Sequence, residues 1–209
     1  GPLLVVAGPG SGKTRVIIHR IAYLVEALGV PPSRIATVTF TNRAAREVKV
    51  RLERILGPRS LQLMAGTFHS MCARILREDG SPIGVPSGFV IFDDADQMTV
   101  IKEAMELAKV DPKRFPPRTF LAAISSAKSQ LVGYDSYLTY FDGYYHELIQ
   151  RVYMFYQGIL DRNQALDFDD LLSKTVRLFD QSPGTLERYQ ERFIHLMVDE
   201  FQDTNVAQY

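Results

Sequence analysis

The sequence predicts an α/β protein, a parallel sheet covered by helices and interrupted by an all-helical insertion. Three observations carry that expectation. Short β-rich apolar runs alternate with amphipathic helical stretches through the first third of the chain. Residues 94–193 then read almost wholly as helices, and "HLMVDEF" returns to a buried-strand pattern close to the last residue. Alternating strands and helices are the signature of a parallel sheet with covered faces.

Each element follows from its pattern. "LLVVAG" (3–8) is a short apolar run closed by glycine, the mark of a buried strand. "KTRVIIHRIAYLVEAL" places Val16, Ile17, Ile21, Leu24, Val25 and Leu28 at helical spacing, and Gly29, Pro31 and Pro32 end it. "IATVTF" (35–40) is a second strand, and "NRAAREVKVRLERIL" a second helix with Ala45, Val48, Leu52 and Ile55 on one face. "LQLMAGTF" and "HSMCARILRE" repeat the strand–helix pair, and "FVIF" (89–92) is strand-like. Of the later helices, "DADQMTVIKEAMELAK" opens on aspartates suited to capping. "PPRTFLAAISSAKSQL" and "SPGTLERYQERF" open on proline, whose missing N–H is harmless in a first turn; Ser182 is the expected cap of the latter. The aromatic set Tyr134, Tyr137, Tyr140, Phe141, Tyr144, Tyr145, Tyr153, Phe155 and Tyr156 lies at helical spacing, which favours packing between helices over base stacking.

The chain has 209 residues, 46% hydrophobic and 23% charged, enough to bury a substantial core. No apolar run approaches the roughly 20 residues that a membrane helix needs, so no membrane partner is expected. The single cysteine, Cys72, excludes an internal disulfide and suits a reducing compartment, so the expected location is cytoplasmic; Cys72 reads as a small buried apolar residue. Net charge is zero, yet it is divided. Residues 1–92 carry 12 Lys and Arg against five Asp and Glu, and residues 93–209 carry 12 against 19. The excess of cations in the first part suggests an anionic partner there.

That partner has a specific candidate. "AGPGSGKT", residues 7–14, falls between a strand pattern and a helix pattern, the setting of a phosphate-binding loop. Gly8, Gly10 and Gly12 free the backbone to turn its N–H groups inward, and the following helix N-terminus favours anions. Ala7, Gly8, Pro9, Gly10, Ser11, Gly12, Lys13 and Thr14 would line the phosphates. Lys13 would reach the β- and γ-phosphates, and the Thr14 hydroxyl would face Mg²⁺. A site of this kind takes a further oxygen ligand from an acid at the end of a neighbouring strand. "LMVD" supplies it as Asp199, and the adjacent Glu200 is placed to orient or deprotonate an attacking water. No Asn-Lys-x-Asp guanine reader and no "LSGGQ" signature occurs, and a small-molecule kinase would rarely need so long an excursion between the two motifs.

The whole chain resembles the UvrD/PcrA/Rep family of superfamily 1 DNA helicases. The resemblance runs through "LLVVAGPGSGKTRVIIHRIAYL", "VTFTNRAAREVKVRL", "GTFHSMCARIL", "LDFDDLL" and "LMVDEFQDTNVAQY", five motifs in order. It implies a RecA-like P-loop motor domain, 1A, over residues 1–70 and 194–209, interrupted by a helical domain, 1B, over 71–193. It implies ATP with Mg²⁺ and an ATP-dependent helicase or translocase moving 3′→5′ on single-stranded DNA. By the same resemblance Arg15 lies near the nucleotide, and Gln202 couples the γ-phosphate site to DNA. Phe40 and Asn42 of "TFTN" and Thr67 and His69 of "GTFHS" would contact the DNA strand, compatible with base stacking and phosphate contacts. Asp167, Asp169 and Asp170 of "DFDDLL" are expected to cap the helix they begin.

The family's adenine-reading glutamine motif, its arginine finger and its domains 2A and 2B are not in this sequence. The chain is therefore expected to be a fragment that binds nucleotide weakly and shows negligible DNA-stimulated hydrolysis alone. Two further readings stay open. One is a helicase subunit of a RecB- or AddA-like nuclease complex, and the other a nucleotide-dependent binding module without motor activity.

Overall fold

The computed structural model describes residues 2–8 and 10–209. In chain order the elements are α1 (Lys13–Glu26), β1 (Ile35–Thr39), α2 (Asn42–Leu56), β2 (Met64–Thr67), α3 (Phe68–Asp79), β3 (Val90–Ile91), α4 (Asp94–Leu107), α5 (Pro117–Ser129), α6 (Tyr137–Tyr140), α7 (Tyr144–Arg162), β4 (Ala165–Leu166), α8 (Phe168–Gln181), α9 (Pro183–Arg192) and β5 (His195–Val198), with short 3-10 turns between some of them. The chain divides into two compact units, residues 1–71 with 186–203 and residues 72–185 with 204–209.

The first unit is built on a parallel sheet in the order β2–β1–β5. Its central strand β1, "IATVT", is buried along its whole length, as expected of a strand covered on both faces. Ala36 pairs with Met64 on one side and Leu196 on the other, a register that carries the C-terminal ends of all three strands to one edge. Helix α1 buries Ile18, Ile21, Leu24 and Val25, and α2 buries Ala45, Val48, Leu52 and Leu56, all at 3- and 4-residue steps. Ile55, expected on that face, is 44% exposed, and Leu56, one i+4 step beyond Leu52, takes the buried place. Val16 and Leu28 likewise point outward. Thr41 caps α2 by accepting a hydrogen bond from the Ala44 N–H at 3.1 Å.

One expectation is corrected. Residues 3–8, read as a buried strand, form no strand; Leu3 is 84% exposed and Val6 86%. A strand exists only through its ladder, and none of β2, β1 and β5 pairs with residues 3–8. Apolar, β-branched composition alone supplies no hydrogen-bonding partner.

The second unit is largely helical, with a core of residues from α4, α5 and α7 that includes Ile101, Met105, Phe120, Ile124, Ile149, Val152 and Tyr156. A two-residue parallel pair, β3 with β4, joins Val90 to Ala165 and Ile91 to Leu166, a contact that helical periodicity does not mark. Asp93 and Asp96 form a reciprocal capping box at the start of α4, and Pro117 opens α5. The aromatic set divides. Tyr137, Tyr153 and Tyr156 are buried, and Tyr137 stacks obliquely on Phe141 at 4.7 Å, whereas Tyr140 and Tyr144 are exposed.

Asp167 caps α8 by accepting from the Asp170 N–H at 2.7 Å, as expected of the "DFDD" run. It has a second task that sequence spacing does not reveal. Lys128 of α5 donates to Asp167 at 2.7 Å and lies 2.9 Å from Asp170, all three side chains being almost fully buried. The Tyr156 hydroxyl donates to the same Asp167 oxygen at 3.0 Å, and the Gln157 amide to Asp170 at 3.3 Å. Burial alone would neutralise these ions; the opposed charges hold Asp167 below the usual carboxylate range and Lys128 well above the usual lysine range, while desolvation leaves Asp170 raised. Among the described residues no cluster of three or more His, Cys, Asp or Glu side chains is arranged to hold a metal ion.

Candidate functional site

The loop before α1 acquires its shape from its glycines. Gly10 and Gly12 have φ of 75° and 87°, left-handed values that a Cβ would strain. Gly12 in this conformation is the residue from which α1 starts, so the loop's backbone turns directly into a helix N-terminus. The Ser11 hydroxyl donates to the Gly8 carbonyl at 2.6 Å, bracing the turn from inside. Among the residues expected to line the phosphates, Pro9 lies outside the described residues; Ala7, Gly8, Gly10, Ser11 and Gly12 are exposed, and Lys13 and Thr14 are half-buried.

At the other end of the chain, β5 feeds the acids toward this loop. The Asp199 N–H donates to the Val38 carbonyl at 2.9 Å, extending the β1–β5 ladder one residue past the strand. That anchor fixes the Asp199 side chain, which is 6% exposed and accepts a hydrogen bond from the Thr14 hydroxyl at 2.9 Å. Residues 185 positions apart in sequence are thereby joined, hydroxyl donor to carboxylate acceptor. Glu200 sits at φ 52°, an uncommon backbone state for a residue with a Cβ, at the turn from β5 into the short helix Phe201–Asp203. This turn leaves its carboxylate half-buried, 3.9 Å from the Lys13 ammonium. The Gln202 amide donates to the other Glu200 oxygen at 2.6 Å, so the Glu200 carboxylate is held from both sides. Lys13 also donates to the Ala7 carbonyl at 3.3 Å. Arg15, exposed on the first turn of α1, donates to a ring nitrogen of His19 rather than to an acid.

The residues expected to meet a strand of DNA gather at the C-terminal ends of β1 and β2. Phe40 follows β1, half-buried, its ring edge-to-face with Phe68 at 5.5 Å. Asn42 is exposed at the first position of α2. Thr67 is 6% exposed at the end of β2, and its hydroxyl accepts from the Ser70 N–H at 3.2 Å. His69 is half-buried in the first turn of α3, and desolvation holds its pKa below the ordinary value, favouring the neutral ring.

A parallel sheet, a glycine loop opening a helix and an acid beyond a sheet strand together define a P-loop α/β protein. All 209 residues match the UvrD/REP helicase N-terminal domain, and the chain belongs to that family. Among curated proteins it is 52% identical, over its whole length, to the ATP-dependent DNA helicase PcrA of Bacillus subtilis, of which it covers 28%. It is 48% identical over its whole length to the protein of that name from Staphylococcus epidermidis, and 47% to that of Staphylococcus aureus, covering 29% of each. The chain thus spans under a third of the length of the curated relatives it matches. Among the described residues no helix is long and apolar enough to cross a membrane.

Proposed function

We propose that this chain is the ATP-binding portion of an ATP- and Mg²⁺-dependent DNA helicase or translocase that moves 3′→5′ on single strands. The observation that supports the reading most is the 2.9 Å hydrogen bond from Thr14 to Asp199, which unites the glycine loop with the acid pair. Hard oxygen donors from a hydroxyl and a carboxylate suit a hard cation. Thr14 and Asp199 would hold Mg²⁺, which supplies charge shielding for the phosphates when bound. Loop N–H groups of Gly8, Gly10, Ser11, Gly12, Lys13 and Thr14 cradle the phosphate oxygens, and Lys13 binds the β- and γ-phosphates with its ammonium. Glu200 orients the attacking water and accepts its proton, and Gln202, bonded to that carboxylate, ties its position to the DNA-facing edge. Arg15 stands near the nucleotide. Phe40 offers a ring to a base, while Asn42, Thr67 and His69 hold the backbone of the strand. The further partners are the remaining helicase domains, 2A and 2B, and the location is cytoplasmic.

The test is DNA-stimulated ATP hydrolysis and displacement of a strand from a 3′-tailed duplex by the intact protein. Replacing Glu200 by Gln removes the general base and lowers hydrolysis by about 10²–10⁴-fold while leaving nucleotide binding in place. Undiminished turnover in that variant, or unwinding only of 5′-tailed duplexes, would overturn the assignment. The 209 residues on their own, under a third of the length of the relatives they match, are expected to hydrolyse ATP negligibly.

A further inference from the structure

The turn after β2 carries strand-facing residues, and a side chain outside that set closes it. The Ser70 hydroxyl accepts a hydrogen bond from the Thr67 N–H at 2.9 Å and donates to the Thr67 carbonyl at 2.9 Å. In return, the Thr67 hydroxyl accepts from the Ser70 N–H at 3.2 Å. Thr67 and Ser70 stand at the cap and third positions of α3, so this is a reciprocal capping box with serine where Glu or Gln is usual. One hydroxyl thus serves both main-chain groups of Thr67, which pairs with Thr39 of β1 on the sheet side. Phe68 and His69 lie within the closed turn. Phe68 is buried and meets the Phe40 ring edge-to-face at 5.5 Å. Thr67, His69 and Phe40 are therefore all attached to the turn that Ser70 closes. Gly66 leaves room for the closure: a Cβ there would lie 2.4 Å from Ser70 Oγ, a clash that Ser70 relieves by swinging its hydroxyl off Thr67. The Gly66 backbone is not left-handed, so space, not φ, calls for glycine at this position.

We propose that Ser70 is a positioning residue for DNA binding. Its hydroxyl holds Thr67 and His69, and through Phe68 the Phe40 ring, in the arrangement that receives a single strand. The inference rests on the function proposed above and deepens it, since Ser70 acts through its neighbours and not by touching the strand.

The experiment measures binding of fluorescent (dT)16 across a salt series. It compares the intact protein with its Ser70→Ala, Ser70→Thr, Gly66→Ala and Gly66→Ala/Ser70→Ala variants, and records thermal unfolding of each. Ser70→Ala binds about fivefold more weakly, the worth of one neutral hydrogen bond, at an unchanged slope of log K against log salt because no cation is removed. Ser70→Thr keeps the hydroxyl and adds a methyl group at an exposed position, and it binds within about twofold of the parent. Gly66→Ala repeats the loss, and the double variant is no weaker than either single one, because both substitutions undo the same contact. Unchanged affinity in Ser70→Ala, failure of Ser70→Thr to restore binding, or additive losses in the double variant overturns the proposal. Absence of (dT)16 binding by the wild-type protein overturns the DNA reading of the whole edge, whereas wild-type binding that the variants leave untouched overturns only the role of Ser70.

Discussion

Two lysines, one in each unit, face carboxylates, Lys128 a pair and Lys13 a single one, and their surroundings differ in nearly every respect. Lys128 touches Asp167 at 2.7 Å and Asp170 at 2.9 Å, and both acids are further held by Tyr156 and Gln157. Lys13 lies 3.9 Å from Glu200 with 28% of its side chain exposed, and its other bond is to a loop carbonyl at 3.3 Å. The same residue types form a closed, satisfied cluster in one place and a loose, accessible one in the other. Desolvated charges are retained only when paired and hydrogen-bonded, so the closed cluster is committed to the fold. The loose cluster keeps its charges near water, where a phosphate can replace the weak partners at small cost.

The sharpest way to break this contrast is Lys128→Ala. It leaves two carboxylates buried without a cation, and breaking a buried pair costs about 3–5 kcal/mol. Urea denaturation of the variant should show a midpoint far below that of the parent. A change under about 1 kcal/mol would mean that water or a neighbour satisfies the acids and that the cluster is not closed.

Lys13→Ala is the opposite experiment. Little of the fold rests on a half-exposed ammonium 3.9 Å from its acid, so the urea midpoint should stay within about 0.5 kcal/mol of the parent. Nucleotide binding should weaken by about 1.5–3 kcal/mol, the range for hydrogen bonds to charged groups, as read by calorimetry with ATP. A large stability loss with binding intact would reverse the roles assigned to the two clusters.

The same contrast shows what a sequence discloses. The loop and the acid pair were legible because each is contiguous: "GSGKT" and "VDE" place their residues within a few positions, at the start of α1 and the end of β5. The charge cluster around Lys128 was not, since its partner Asp167 is 39 residues away and nothing local distinguishes "SAK" from any helical surface. Residues 3–8 failed for a related reason. Their composition is that of a strand, but pairing is a non-local property, and no strand of the sheet pairs with them. Ile55 and Leu56 differ by one helical step of 100°, finer than an apolar pattern in a 15-residue helix resolves. The capping aspartates were legible because a cap is decided within four residues.

A smaller effect sharpens the picture on the alkaline side. Burial pushes the Cys72 thiol up to about 11, above the ordinary thiol range, and the Lys128 ammonium is raised well above its ordinary range against its own desolvation. Desolvation likewise raises Tyr153 and Tyr156. In each case the unfolded chain releases its proton at a lower pH than the folded one, so it binds fewer protons across the interval and stability falls as pH rises. The urea midpoint should hold up to about pH 9 and decline above it, first through Cys72 and then, above about pH 10, through Lys128 and the tyrosines. Cys72→Ala should delay the onset of that decline. A midpoint flat to pH 11 in the parent would show that these groups titrate as they do in the unfolded chain.

The smallest expected change comes from the exposed pair of Arg74 and Glu78, 2.8 Å apart on successive turns of α3. Its distance matches that of the Lys128 contacts, and distance alone would rank the two as equals. Both partners of the surface pair are about half exposed, so water screens the attraction and competes for the donors, and ordering two long side chains offsets part of what remains. Arg74→Ala should therefore cost about 0.3–0.5 kcal/mol, and that loss should shrink further in high salt, where the Lys128→Ala loss should hardly move. Equal losses from the two substitutions would show that burial does not set the difference between these ion pairs, and the contrast between closed and open clusters would have to rest on geometry alone.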